Sequence, residues 1–185
     1  STDRVDIPAG VFTDGNDVSF SAWVKSDLAT VGAKDRNIVR TTNNDFVMRA
    51  RQTIYKGIAG GVEAQDNLGS LNTTEYYHYA LNYDNATSTI ELFRNGVSVA
   101  TASSVPALVL TGTLDILQNL LAHVDDVRAY NRKLTQAEIT HLATSRGIEG
   151  PPPVGLGDEK LWLCPSINDS ANDISGNGND GTYQG

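Results

Sequence analysis

The sequence predicts an all-β protein, an antiparallel jelly-roll β-sandwich with one short helix late in the chain. Three observations lead there. Apolar and polar residues alternate with period two over most of the 185 residues, the signature of strands with one buried face. The alternating runs are short and separated by turn residues: Asp14-Gly15, Asn43-Asn44, Gly60-Gly61 and Asn95-Gly96. Only one stretch keeps helical spacing. Many short strands with turns between them build sandwiches and jelly rolls rather than βαβ units.

The first clear strand is DVSFSAWVKS. Val18, Phe20, Ala22 and Val24 fall on one face; Ser19, Ser21, Trp23 and Lys25 fall on the other. NIVRT, DFVMRAR, YYHYALNYD, STIELFR, VSVATA and LVLTGTLDIL continue the pattern. Tyr77, Tyr79, Leu81 and Tyr83 share one face, and Tyr76, His78, Ala80 and Asn82 the other. RNGV, between IELF and VSVAT, has the Asn-Gly pair that tolerates the positive φ angles of a type I′ hairpin. GVEAQDNLG reads as a loop.

The helix is LTQAEITHLATSRG. Thr135 is placed as N-cap, with Glu138 three residues on completing a capping box, and Leu134 and Ile139 set for a hydrophobic staple. Ile139 and Leu142 face the sheet, over an edge or end, and Gly147 closes the helix. EGPPPVGLGDE then interrupts the pattern. Three consecutive prolines favour extended polyproline II and cannot enter a ladder. The chain therefore divides into a sandwich body (1–148), a linker (149–158) and a strand-loop segment (159–185) that opens with the apolar run KLWLC.

Charge and cysteine content narrow the function. Fourteen Lys and Arg against 22 Asp and Glu give a formal charge of −8. Such a chain has no electrostatic reason to bind nucleic acid or an anionic membrane. Cations and neutral sugars suit it better. The single cysteine, Cys164, excludes an internal disulfide and a Cys-based zinc cluster. Between apolar neighbours it reads as a buried thiol. No apolar run approaches 18 residues. The chain begins at Ser1 without a signal peptide or Met, which reads as a mature or excised piece.

VDDVRAYNRKLTQAEI (124–139) resembles the last strand and following helix of laminin-G-like, concanavalin A-like jelly-roll modules, and EYYHYALNYDNATSTIELFRNGVSVATA (75–102) resembles their middle strands. LWLCPSINDSANDISGNGNDGTYQG (161–185) resembles the opening of that family, displaced here to the C-terminus. The resemblance implies a sandwich whose first strands come from beyond the proline linker. Three placements stay open: on the chain's own body, on a neighbouring copy, or as the start of a next domain in a tandem array. A sandwich lacking its first strand exposes unpaired backbone, which an incoming strand repairs. The expected function is a non-catalytic extracellular or cell-surface module for adhesion or assembly, partnered by copies of itself through 159–185. The alternative is a monomeric, calcium-assisted carbohydrate-binding module.

The C-terminal loop has metal-loop spacing. Asp173, Ser175, Asn177 and Asn179 alternate, with Gly178 after Asn177. The twelfth position is Gln184, so this is no EF-hand. A looser structural calcium site would use Asp173, backbone carbonyls near Asn177 and a carboxylate from elsewhere. The resemblance implies Asp125 for that role, with Asp126 second. The competing reading is that Asp173 caps a turn through its own backbone. Catalysis finds no support: the Glu-x-Asp-x-x-Glu strand of jelly-roll glucanases is missing, Glu63 and Asp66 lack a third carboxylate, and His78, His123 and His141 are scattered. For a glycan the candidates are Trp23, Tyr76 and Arg49, each as easily a packed or solvated residue. Sequons occur at Asn72, Asn85 and Asn168.

Overall fold

The computed structural model describes residues 4–27, 36–51, 53–68, 71–110, 112–116, 122–145, 155–164 and 171–184. Its strands are β1 (Arg4–Ile7), β2 (Val18–Ser26), β3 (Arg36–Thr41), β4 (Phe46–Arg51), β5 (Ile54–Ala59), β6 (Val62–Asn67), β7 (Tyr77–Asp84), β8 (Thr89–Arg94), β9 (Val97–Ser103), β10 (Leu114–Ile116), β11 (Ala122–Tyr130), β12 (Leu161–Leu163) and β13 (Thr182–Gln184). The helix α1 (Gln136–Leu142) lies between β11 and β12. One sheet runs β13-β1-β10-β3-β4-β5-β6 and the other β12-β11-β2-β7-β8-β9. All neighbours are antiparallel. This is the expected β-sandwich with one short helix.

The period-two pattern explains the core. Val18, Phe20, Ala22 and Val24 of β2 face the opposite sheet, as do Tyr79, Leu81 and Tyr83 of β7. Phe20 stacks on Phe46 with ring centroids 4.9 Å apart, and Phe12 meets Phe20 edge-on at 5.0 Å. Each such aromatic pair adds about 0.5–1.5 kcal/mol beyond its area. The Asn95-Gly96 turn between β8 and β9 has φ of +50° and +82°, as a type I′ hairpin requires.

Two readings are corrected. The run GVEAQDNLG is not a loop: β6 pairs with β5 from Ile54↔Asn67 to Ala59↔Val62. An edge strand needs few apolar residues, and β6 turns Ala64 to the core while exposing Gln65. LVLTGTLDIL is not one strand either. Among its described residues only Leu114–Ile116 join a ladder, between β1 and β3. Leu108 and Leu110 are buried without strand pairing.

The helix forms as its sequence dictates. Thr135 and Glu138 make both capping-box bonds. Ile139 and Leu142 pack with Leu134, Ala80, Phe93 and Tyr130 into a second, smaller core. Ala80, Phe93 and Tyr130 come from β7, β8 and β11, so α1 covers the outer face of the six-stranded sheet rather than an edge. Gly147 and the proline run at 151–153 lie outside the described residues.

The C-terminal segment lies on its own chain. β12 extends the six-stranded sheet beside β11 (Val127↔Leu163, Ala129↔Leu161), and β13 extends the other beside β1 (Val5↔Tyr183). Gly181 is required where the two meet, because a Cβ there would stand 2.4 Å from Val5 and 2.7 Å from Ile7.

Candidate functional site

At one end of the sandwich β2 begins, β7 ends and β11 ends side by side, in register Val18↔Tyr83 and Ser19↔Tyr130. The connections leaving those strands border an open polar cleft of about 420 Å³ lined by Gly15, Asn16, Asp17, Asn85, Ala86, Asn131 and Arg132. That volume lies within the range of small-ligand sites.

Its walls are fixed from behind. Asp14 accepts the Leu110 N–H, anchoring the Asp14–Asp17 turn. Asn85 is held at three points. Its backbone N–H donates to Asp17 Oδ1 (2.8 Å), its Nδ2 donates to the Gly15 carbonyl (3.0 Å), and its Oδ1 accepts the Tyr83 hydroxyl (2.8 Å). Asn131 Oδ1 accepts the Thr13 N–H at 3.2 Å. The Arg132 guanidinium lies between Glu138 and Asp158, and these two partners raise its pKa. Rigid amides, a carboxylate and backbone groups around a concave space suit hydroxyl-rich ligands. These residues are scattered over the chain; the one sequence signal is the polar turn Asp14-Gly15-Asn16-Asp17.

A second polar cluster sits on the outer face of the six-stranded sheet, under the C-terminal segment. A β-bulge in β11 between Asp125 and Arg128, with Asp126 at φ +48°, places Asp126 beside Arg128. Arg128 is fully buried. Its Nε and Nη2 donate to Asp126 (2.8 and 3.1 Å), and Nη1 donates to Glu159 (3.3 Å). The Trp162 ring lies 4.0 Å from the guanidinium, and its Nε1–H donates to Asp126 at 2.7 Å. Cys164 is buried there, as expected, and burial with the nearby aspartates pushes its thiol pKa up. The cluster is saturated with internal partners and fastens the segment to the body.

The proposed metal set is spread over different surroundings. Asp173 Oδ1 accepts the Trp162 and Ser175 N–H groups at 2.9 Å each, and Oδ2 accepts the Ser175 hydroxyl (2.9 Å) and the Asn179 N–H (3.0 Å). Asn177 and Asn179 donate their amides to the carbonyls of Glu159 and Lys160. Asp125 is buried on β11 opposite Trp23, and it is Asp126 that the segment's Trp162 reaches. Four internal donors converge on the Asp173 carboxylate, and among the described residues no group of three or more His, Cys, Asp or Glu is placed to hold an ion. The Asp173 loop is a side-chain clamp on the strand flanking it. Asp173→Ala should cost about 1–3 kcal/mol, while a chelator should leave the melting temperature unchanged. A fall in melting temperature on chelation would overturn this reading.

The ligand candidates part company. Trp23 packs edge-on against His78 (5.4 Å) on the outer face of the six-stranded sheet, and Tyr76 lies nearby under Lys25 (5.5 Å). Arg49 is on the other sheet, paired with Glu63. Glu63 and Asp66 point to opposite sides of β6. Glu63 meets Lys56, Arg49 and Gln65, whereas Asp66 meets Tyr79 and Arg94 between the sheets. They cannot flank one glycosidic bond. His78 is buried, and that burial, with Arg128, lowers its pKa to about 3, so it stays neutral and cannot shuttle protons near pH 7.

A sequence model of the concanavalin A-like lectin/glucanases superfamily matches residues 1–140. The chain belongs to that superfamily. Among functionally curated proteins, no sequence matches this concanavalin A-like domain. Several solved structures share its fold. A protein from Bacteroides ovatus ATCC 8483, provisionally assigned as carbohydrate binding, superposes with a TM-score of 0.73 at 15% identity, over 100% of this domain and 56% of that chain. The receptor-binding domain of the botulinum neurotoxin C/D mosaic serotype gives 0.59 at 14% identity, and the serotype D binding domain gives 0.59 at 13%. Each of these covers 69% of this domain and 36% of its own chain. The concanavalin A-like domain thus spans little more than half of the first structure and about a third of the toxin domains.

Proposed function

We propose that this chain is a non-catalytic, extracellular recognition module that holds a glycan in the rim cleft. The observation that carries this is the cleft's rigid lining of amides, carboxylate and backbone groups. The fold shared with a structure provisionally assigned to carbohydrate binding supports it, as does the separation of Glu63 and Asp66 on opposite sides of one strand. No ion is needed. Full-length protein on an array of polysaccharides should retain a neutral one. The pair Asn16→Ala and Asn131→Ala, assayed well below its melting temperature, should weaken retention about tenfold, the loss of one or two hydrogen bonds. Silence across the array, or a double variant that binds as well as the wild type, would sink the reading.

A second reading is strand exchange, in which 159–185 joins a neighbouring copy in a surface assembly. One observation favours it. Much of the segment's polar bonding is internal, between 159–162 and 173–179, so it can dock as a preformed unit. Concentrated samples should then give multimers by size-exclusion chromatography with light scattering. A strict monomer at every concentration rules exchange out.

A further inference from the structure

We infer that docking of the C-terminal segment sets the ligand charge the rim cleft accepts, through Arg132. The inference rests on the glycan reading of that cleft. Arg132 is the one cation among the described residues that line the cleft, yet none of its N–H groups is left for a ligand. Nε donates to Asp158, and Nη2 to Asp158 (2.9 Å) and Glu138 (2.8 Å). Nη1 donates to Glu138 (2.9 Å) and the Lys133 carbonyl (3.3 Å). Glu138 is fixed locally by the helix cap, where it accepts the Thr135 N–H. Asp158 is different. It is the last residue of the linker, directly before Glu159, whose carboxylate is bound into the Arg128 cluster. Seating the segment on β11 therefore brings Asp158 to Arg132.

With Asp158 in place, two carboxylates neutralise the guanidinium, and Asp17 leaves the cleft with net negative character. Neutral sugars fit, and carboxylated sugars are repelled. Without Asp158 the Nε–H and one Nη2–H are free to make the forked contact that guanidinium makes with a carboxylate. The same side chain would then attract the ligands it now ignores. Asp158 acts here as the positioning residue, because its hold on the guanidinium decides whether Arg132 is available.

Asp158→Asn in the full-length chain tests this. Asp158 is exposed, and an exposed ion pair contributes little to stability, so the variant should fold as the wild type does. Binding to a neutral galactan and to polygalacturonate is compared for both proteins. Galactan binding should persist in both, and polygalacturonate binding should rise about fivefold in the variant, the range of one exposed ion pair. An unchanged preference overturns the inference. The Arg132 Nε–H resonance provides a second reading with free glucuronate as probe. It should move in the variant and stay fixed in the wild type. If neither protein binds a polysaccharide but the resonance responds as stated, the glycan reading fails while the coupling stands. If the resonance responds equally in both, the coupling fails.

Discussion

Deleting residues 151–185 is expected to abolish the native sandwich. The deletion strips an edge strand from each sheet and uncovers Val5, Ile7, Val127 and Ala129, now buried. It also removes Leu161, Trp162 and Leu163, all buried. Burial of such side chains contributes about 1.5–3 kcal/mol each, and the three together approach the whole stability of an ordinary domain, about 5–15 kcal/mol. Near-UV circular dichroism and urea titration of the truncated chain measure the effect. A cooperative transition within a few tenths of a molar of the full-length midpoint would refute it.

Replacing Arg128 alone is the next largest effect. Arg128→Met leaves the Asp126 and Glu159 carboxylates buried without their cation. Breaking a buried pair from one side costs about 3–5 kcal/mol. Arg128→Met combined with Asp126→Leu should recover part of the loss, since a hydrophobic replacement of the whole pair is often neutral. Chemical denaturation of both variants checks this. Equal stability of the single variant and the wild type would show that the cluster does not hold the segment.

The body of this fold was legible because its strands are amphipathic. In β2 and β7 every core residue follows the period, and in α1 the capping box and staple residues are local signals that no tertiary contact has to override. The polar edge strand β6 was not legible, because pairing, not hydrophobicity, makes it a strand. The site was least legible. Asp17, Asn85 and Asn131 are ordinary turn residues in sequence, and only the register of β11, β2 and β7 gathers them. Asp173 was legible as a turn former or a metal ligand, and its four donors are what a turn former receives. Trp23 and Tyr76 were placed on the right face, while Arg49 belonged to the other sheet, which no period reveals.

The pairing of β1 with β13 has a mechanical consequence. Arg4 stands opposite Gln184 in an antiparallel ladder, so the first and last described residues are neighbours at the same end of the same pair of strands. Tension applied through them would not shear the ladder, which loads all its hydrogen bonds together. It would peel the two strands apart one bond at a time, starting at Arg4 and Gln184. The segment is therefore strong against heat and denaturant, where the buried cluster must open, and weak against a pull along the chain.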